Sequence, residues 1–154
     1  MRRFCALLLG VWLGLHLGFG YIVAPLVFTR LSSLADGKIL AGNIAGSLFH
    51  IVHLFGIAVW FAAYFLARCD NRYGYRKTHM PHWIGVLIGV LAINEFLITP
   101  VIEAIKNHKN NWLYDLIGGS FNAWHGASSI VYLVCMLLGT ALCAQWMTLH
   151  KNNY

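Results

Sequence analysis

Apolar residues run through this chain in four long blocks, 4–29, 43–67, 81–104 and 121–149, and the few polar residues inside each block recur at helical spacing. A hydrocarbon core about 30 Å thick is crossed by roughly 20 residues of helix, and the second block, Asn43 to Ala67, is an uncharged run of 25 residues. Each block therefore predicts a transmembrane helix. The segments between them are only about a dozen residues long and leave no room for a soluble domain. The expected fold is all-α: residues 1–154 as one integral membrane four-helix bundle.

Membrane helices associate through close contact at small residues and through polar groups, because lipid offers no hydrophobic drive between helices. Gly10, Gly14 and Gly18 repeat every four residues in the first block, Gly42 and Gly46 open the second, and Gly85 and Gly89 open the third. Heptad spacing then predicts inward faces: Gly46, His50, His53, Ile57, Trp60 and Tyr64 in the second helix, and Gly85, Ile88, Ala92, Glu95, Thr99, Ile102 and Lys106 in the third. In the fourth it selects His125, Ser128, Tyr132, Cys135, Gly139 and Trp146. Asn94 points roughly 100° away from Glu95, toward another neighbour. His16 lies opposite the glycines of the first helix, so one of the two faces meets the bundle and the other needs a second protomer or a larger membrane complex. Pro25 and Pro100 each remove an N–H near an outer helix end and are expected to kink or end the helix there.

Composition agrees with a bilayer environment: 59% of the 154 residues are hydrophobic and 10% charged, against about 25% charged in soluble domains. The net charge of +6 does not form a nucleic-acid stripe, since the cations sit where helices leave the membrane. Arg2, Arg3, Arg68, Arg72, Arg76, Lys77 and Lys151 fall on one side, and Arg30, Lys38, Lys106 and Lys109 on the other. The positive-inside rule then places both termini and the central loop in the cytoplasm. The first block is too long for a signal-peptide core and is expected to stay as a helix. Cys5, Cys69, Cys135 and Cys143 avoid the outer loops, so no disulfide framework is expected.

Ionisable groups at membrane depth are functional candidates. His50 and His53, one turn apart, are joined at similar depth by Glu95, with His125 nearer the outer end and His16 near the middle of the first helix. Imidazoles and a carboxylate suit a copper, zinc or haem-iron site, and Cys135, Met136, Cys143 and Met147 continue down the fourth helix as a soft-metal path. A haem would take one histidine from each of two helices, such as His53 with His16 or His125. The same residues serve equally as hydrogen-bonded packing groups, with His50 donating to Glu95 and His125 bonding Ser129, or as a proton relay. Glu103 and Lys106 are spaced for an interfacial ion pair. His79 and His82 flank Pro81 in a basic segment suited to anionic headgroups. Tyr73, Tyr75, Trp83, Trp112, Tyr114 and Trp124 suit the aromatic belts. No phosphate-binding glycine loop or catalytic triad is present, so an enzyme is not the expectation.

The segments "GYIVAPLVFTRL", "LAGNIAGSLFHIVHLFG", "LITPVIEAIKN" and "FNAWHGASSIVYLVCMLLG" resemble the transmembrane protein 205-like family of small bacterial tetraspan proteins, a domain of unknown function. The block of Trp124, His125, Gly126, Ser128, Ser129 and Tyr132 carries the most specific part of the likeness. The resemblance implies a multi-pass protein of the bacterial inner membrane and supplies no activity. A more distant similarity to copper resistance D proteins and to a haem-binding membrane oxidase implies metal or haem handling by fold analogy alone. Two readings stand side by side: a metal or haem site built on the histidines and Glu95, or a non-catalytic membrane subunit or assembly factor in which they are structural.

Overall fold

The computed structural model describes residues 2–72 and 78–151, with side chains for 3–72 and 78–148. Tyr73, Tyr75, Arg76 and Lys77, and the side chains of Arg2 and Lys151, lie outside the described residues. Every element is helical among those described: α1 (Arg2–Gly18), a π-helical turn (Phe19–Val23), α2 (Ala24–Leu31), α3 (Gly37–Arg72), α4 (Met80–Ile93), a second π-helical turn (Asn94–Ile98), α5 (Thr99–Lys106), α6 (Trp112–Ile117) and α7 (Phe121–Lys151). Continuous helix makes four stretches long and apolar enough to cross a membrane: Arg3–Leu31, Gly37–Arg72, Met80–Lys106 and Phe121–Thr148. All four expected spans are found. The second runs well beyond its apolar block at both ends, because the polar flanks continue the helix out of the apolar zone.

Neither proline ends its helix. Pro25 and Pro100 occupy the first turn of α2 and α5, where a missing N–H costs little, and each follows a π-helical turn that absorbs the break in the hydrogen-bond ladder. The two halves of the chain repeat this construction at an interval of 75 residues, from Pro25 to Pro100. Phe19 and Asn94 begin the π turns, Ala24 and Thr99 begin the short helices, and Gly37 and Trp112 begin the returning helices, all at that interval. The buried residues of α1, Cys5, Leu9, Trp12 and His16, map at the same interval onto Met80, Ile84, Leu87 and Leu91 of α4. Two like hairpins that follow one another through a membrane start from the same side, so they are related by rotation about the membrane normal. The second copy is broken where Gly118 and Gly119 adopt positive φ of 70° and 103°, separating α6 from α7.

α1 and α4 each pack against both α3 and α7, giving a closed bundle. Its centre is Trp12, whose indole donates to the Val52 carbonyl at 3.2 Å and meets Trp60 edge-on, with centroids 5.5 Å apart. The ring is admitted by Gly56 on one side and Gly139 on the other: a Cβ at Gly139 would stand 2.6 Å from the indole, and one at Gly56 would be closer still. The expected contact stripe of Gly10, Gly14 and Gly18 is not used inside the bundle, since a Cβ at any of the three meets nothing within 4 Å. His16 takes the inward face of α1 instead, because the buried residues four and three apart, Leu9, Trp12 and His16, carry the side-chain volume that fills the core.

Two inward faces are rotated from the expected ones. On α4 the buried stripe is Ile84, Leu87 and Leu91, one position before the expected Gly85, Ile88 and Ala92, and on α3 it is Val52, His53, Gly56, Val59, Trp60 and Ala63. Large apolar residues set the stripe on α4, whereas on α3 small residues, Ala41, Ala45, Gly56, Ala63 and Ala67, take much of the buried face while Ile51, Leu54, Phe61 and Phe65 are exposed, and His50 is left at the edge of the interface. The fourth face is as expected over Tyr132, Cys135, Gly139 and Trp146. Replacing Gly56 or Gly139 by Ala should lower stability in detergent by about 1–3 kcal/mol through overpacking. Ala at Gly10 or Gly14 should cost nothing comparable in the monomer, and equal thermal shifts at all four positions would contradict this packing.

Candidate functional site

The second π turn exposes two polar side chains to the bundle interior at once. Asn94 and Glu95 are both buried, and they turn to different neighbours as their angular separation requires. The Asn94 amide oxygen accepts from the Ser128 hydroxyl of α7 at 3.0 Å. Glu95 turns to α3, where its two carboxylate oxygens are taken by two imidazoles: His50 Nδ1 donates to Oε1, and His53 Nδ1 donates to Oε2 at 2.9 Å. A carboxylate in a water-poor interior is strongly unfavourable unless its lone pairs are filled, and two N–H donors on successive turns of one helix fill both oxygens.

The two histidines differ in surroundings. The His50 side chain is 54% exposed and that of His53 is 3%, so the carboxylate bridges an open edge of the bundle and its interior. Toward the N-terminal end of α3, Asn43 accepts from the Lys106 ammonium, and a Cβ at Gly46 would meet nothing within 4 Å. Asn43, Gly46 and His50 therefore form an open polar edge leading from Lys106 toward Glu95. Lys106 reaches Asn43 rather than the Glu103 spaced for it.

Behind His53 lies a ring stack that the residue spacing did not reveal. His16 lies flat on Tyr132, with centroids 3.7 Å apart and planes 8° from parallel, and 6.1 Å from the His53 ring. Two reciprocal bonds tie α1 to α7 there: His16 Nε2 donates to the Tyr132 carbonyl at 3.3 Å, and the Tyr132 hydroxyl donates to the His16 carbonyl. Tyr132 was expected on an inward face, but only the antiparallel approach of α1 and α7 makes it a partner of His16.

Along the helices, His53 stands about 24 Å from Gly37 at the start of α3, and Glu95 about 16 Å from Lys106, at 1.5 Å per residue.

His125 does not join this group. It is exposed and stacks on Phe121 at 5.8 Å, while its carbonyl accepts from Ser129 at 2.9 Å. The repeat explains this: His125 stands 75 residues after His50 and is its counterpart in the second hairpin, so rotation carries it away. Cys135 and Cys143 are buried and Met147 is 63% exposed, so the soft-metal path of Cys135, Met136, Cys143 and Met147 does not run along one channel wall. Cys143 faces the Leu9 carbonyl. Among the described residues, no three His, Cys, Asp or Glu side chains are arranged to hold a metal ion. A haem between His16 and His53 does not fit either, because Tyr132 lies against both rings, at 3.7 and 5.7 Å, and Trp12 lies 5.0 Å from His16. At the opposite end, His79 and His82 share an open cleft with Arg68 and Arg72, and the Arg68 guanidinium donates to the Tyr64 hydroxyl at 2.8 Å.

A family model for a domain of unknown function, DUF4149, matches residues 7–111. The chain belongs to the DUF4149 family. The match takes in both π turns and the residues His16, His50, His53 and Glu95, and it ends before α7, which supplies Ser128 and Tyr132. No curated protein and no solved structure matches the chain significantly. The finding supports a multi-pass membrane protein whose family carries no assigned activity.

Glu95→Ala should destabilise the protein by about 1–3 kcal/mol, because it strands the buried His53 donor. Glu95→Gln, which keeps an acceptor, should cost less, and thermal unfolding of the two variants in detergent measures the difference.

Proposed function

We propose that this protein binds and transfers protons within the membrane, using Glu95 as a carboxylate shared between His50 and His53. The observation that carries this reading is the asymmetry of the two donors on one buried carboxylate: one imidazole at an open edge, the other sealed in the bundle. A neutral His50, whose side chain is 54% exposed, takes a proton at Nε2 and becomes an imidazolium beside the carboxylate. Passing its Nδ1 proton to Glu95 Oε1 then leaves a neutral imidazole and a neutral acid. The net charge of the group rises from minus one to zero in this loading step, which lowers its cost in hydrocarbon. No group other than the three side chains and an external proton is needed.

The setting we infer is the bacterial inner membrane, with both termini in the cytoplasm and Lys106 and the α5–α6 loop outside, so that His50 loads from the outer side. The charge distribution supports this orientation. Metal handling, the role implied by the wider resemblance to copper resistance D proteins, would require His50, His53 and Glu95 to exchange their mutual hydrogen bonds for a common ion. A subunit or assembly role is supported by a separate observation, the outward Gly10, Gly14 and Gly18 stripe, which offers close approach to a second protomer or a larger membrane complex.

Infrared pH titration of protein in bilayers should show a titrating carboxyl band that disappears in Glu95→Gln and shifts in His50→Ala. Absence of that band in the wild type, or an equimolar metal ion retained on purification and lost in His50→Ala and His53→Ala, would overturn the proton reading. Cysteine cross-linking at Gly14 in native membranes should trap a dimer or a heterologous partner if the stripe docks, and should leave monomer if it faces lipid.

A further inference from the structure

The hydrogen bonds around His16 and His53 decide which ring nitrogens carry protons. His16 Nε2 faces the Tyr132 carbonyl, which can only accept, so the proton of a neutral His16 is on Nε2 and its Nδ1 is a bare lone pair. His53 Nδ1 faces the Glu95 carboxylate, so the proton of a neutral His53 is on Nδ1 and its Nε2 is likewise a lone pair. These two nitrogens, His16 Nδ1 and His53 Nε2, are both buried and have no hydrogen-bond partner in the protein. They belong to neighbouring rings 6.1 Å apart. Being two acceptors, they cannot bond to each other. Each lone pair left bare in a dry interior is costly, and no outside solvent reaches either atom.

We propose that a single water molecule is bound between them, donating one O–H to His16 Nδ1 and the other to His53 Nε2. Water is the smallest guest with two donors, and the site sits between α1 and α3 of the first hairpin, with Tyr132 of α7 against both rings. Trp12 lies against His16, and Tyr132 lies against both rings. The bridge links α1 to the Glu95 group. The purpose of the bridge rests on the proton-transfer reading, whereas its existence rests only on the two lone pairs.

Solid-state NMR of histidine-labelled protein in bilayers tests the site without a variant. His16 Nδ1 and His53 Nε2 should both resonate as unprotonated nitrogens, each with a cross-peak to the same water protons. In difference infrared spectra, exchange into ¹⁸O water should shift an O–H stretching band in the wild type and in Glu95→Gln, and that band should be lost in His16→Phe. Retention of the band in Glu95→Gln, whose titrating carboxyl is gone, separates the water from the proton-transfer reading. A proton found on either nitrogen, absence of the water cross-peak, or a metal-shifted resonance at either site would overturn the proposal.

Discussion

A carboxylate in the middle of a membrane bundle must find its hydrogen-bond donors within the protein, and Glu95 finds two on one helix. That requirement constrains much else. The donors have to be three residues apart on α3 to reach two oxygens of one group, and α4 has to meet α3 at the level of Glu95. The regular ladder of the third span also opens into a π turn at that residue, where the extra residue in the turn lets Asn94 and Glu95 both stay buried while addressing α7 and α3. Lipid could satisfy none of these groups, so each polar bond also fixes the relative depth of two helices.

The repeated hairpin gives this arrangement its asymmetry. Both halves carry a π turn, a proline on its far side and a short helix after it, but only the second places an acid in the turn: Gly20 stands at the position equivalent to Glu95. A Cβ at Gly20 would press on the ring of Tyr132, the same ring that stacks on His16. One interface between the hairpins therefore holds a hydrogen-bonded carboxylate, and the other holds a close backbone approach to an aromatic ring. His50 and His125 share a register position and have opposite fates for the same reason: one meets an acid and the other meets Phe121.

Much of the fold was legible from the chain. Four blocks of sufficient length and hydropathy predict four helices, since in hydrocarbon a chain that spans must bond its own backbone. The divergent directions of Asn94 and Glu95 and the inward face through Tyr132, Cys135, Gly139 and Trp146 also follow from helical phase, and the hydrogen bond from His50 to Glu95 is one of the pairings that phase allows. Polar residues do not mark the centre of a face. On α4 the stripe follows the larger apolar side chains, on α3 it follows small residues that admit close neighbours, and His50 lies at its margin. Glycine spacing misled for a related reason: Gly10, Gly14 and Gly18 permit close contact but do not compel it, whereas isolated Gly56 and Gly139 are required by Trp12.

The sequence by itself determined the number of spans, the helical register and the presence of ionisable groups at membrane depth, because these depend on length, hydropathy and the fixed rotation per residue. Only the tertiary structure decided which groups meet. His16, with the outward or inward face of its helix open, is brought onto Tyr132 and beside His53 by the packing of α1 against α3 and α7. His125 is carried away by the rotation that relates the two hairpins. Partnership between helices depends on their order around the bundle and their relative depth, and neither quantity is written in the periodicity of any one helix.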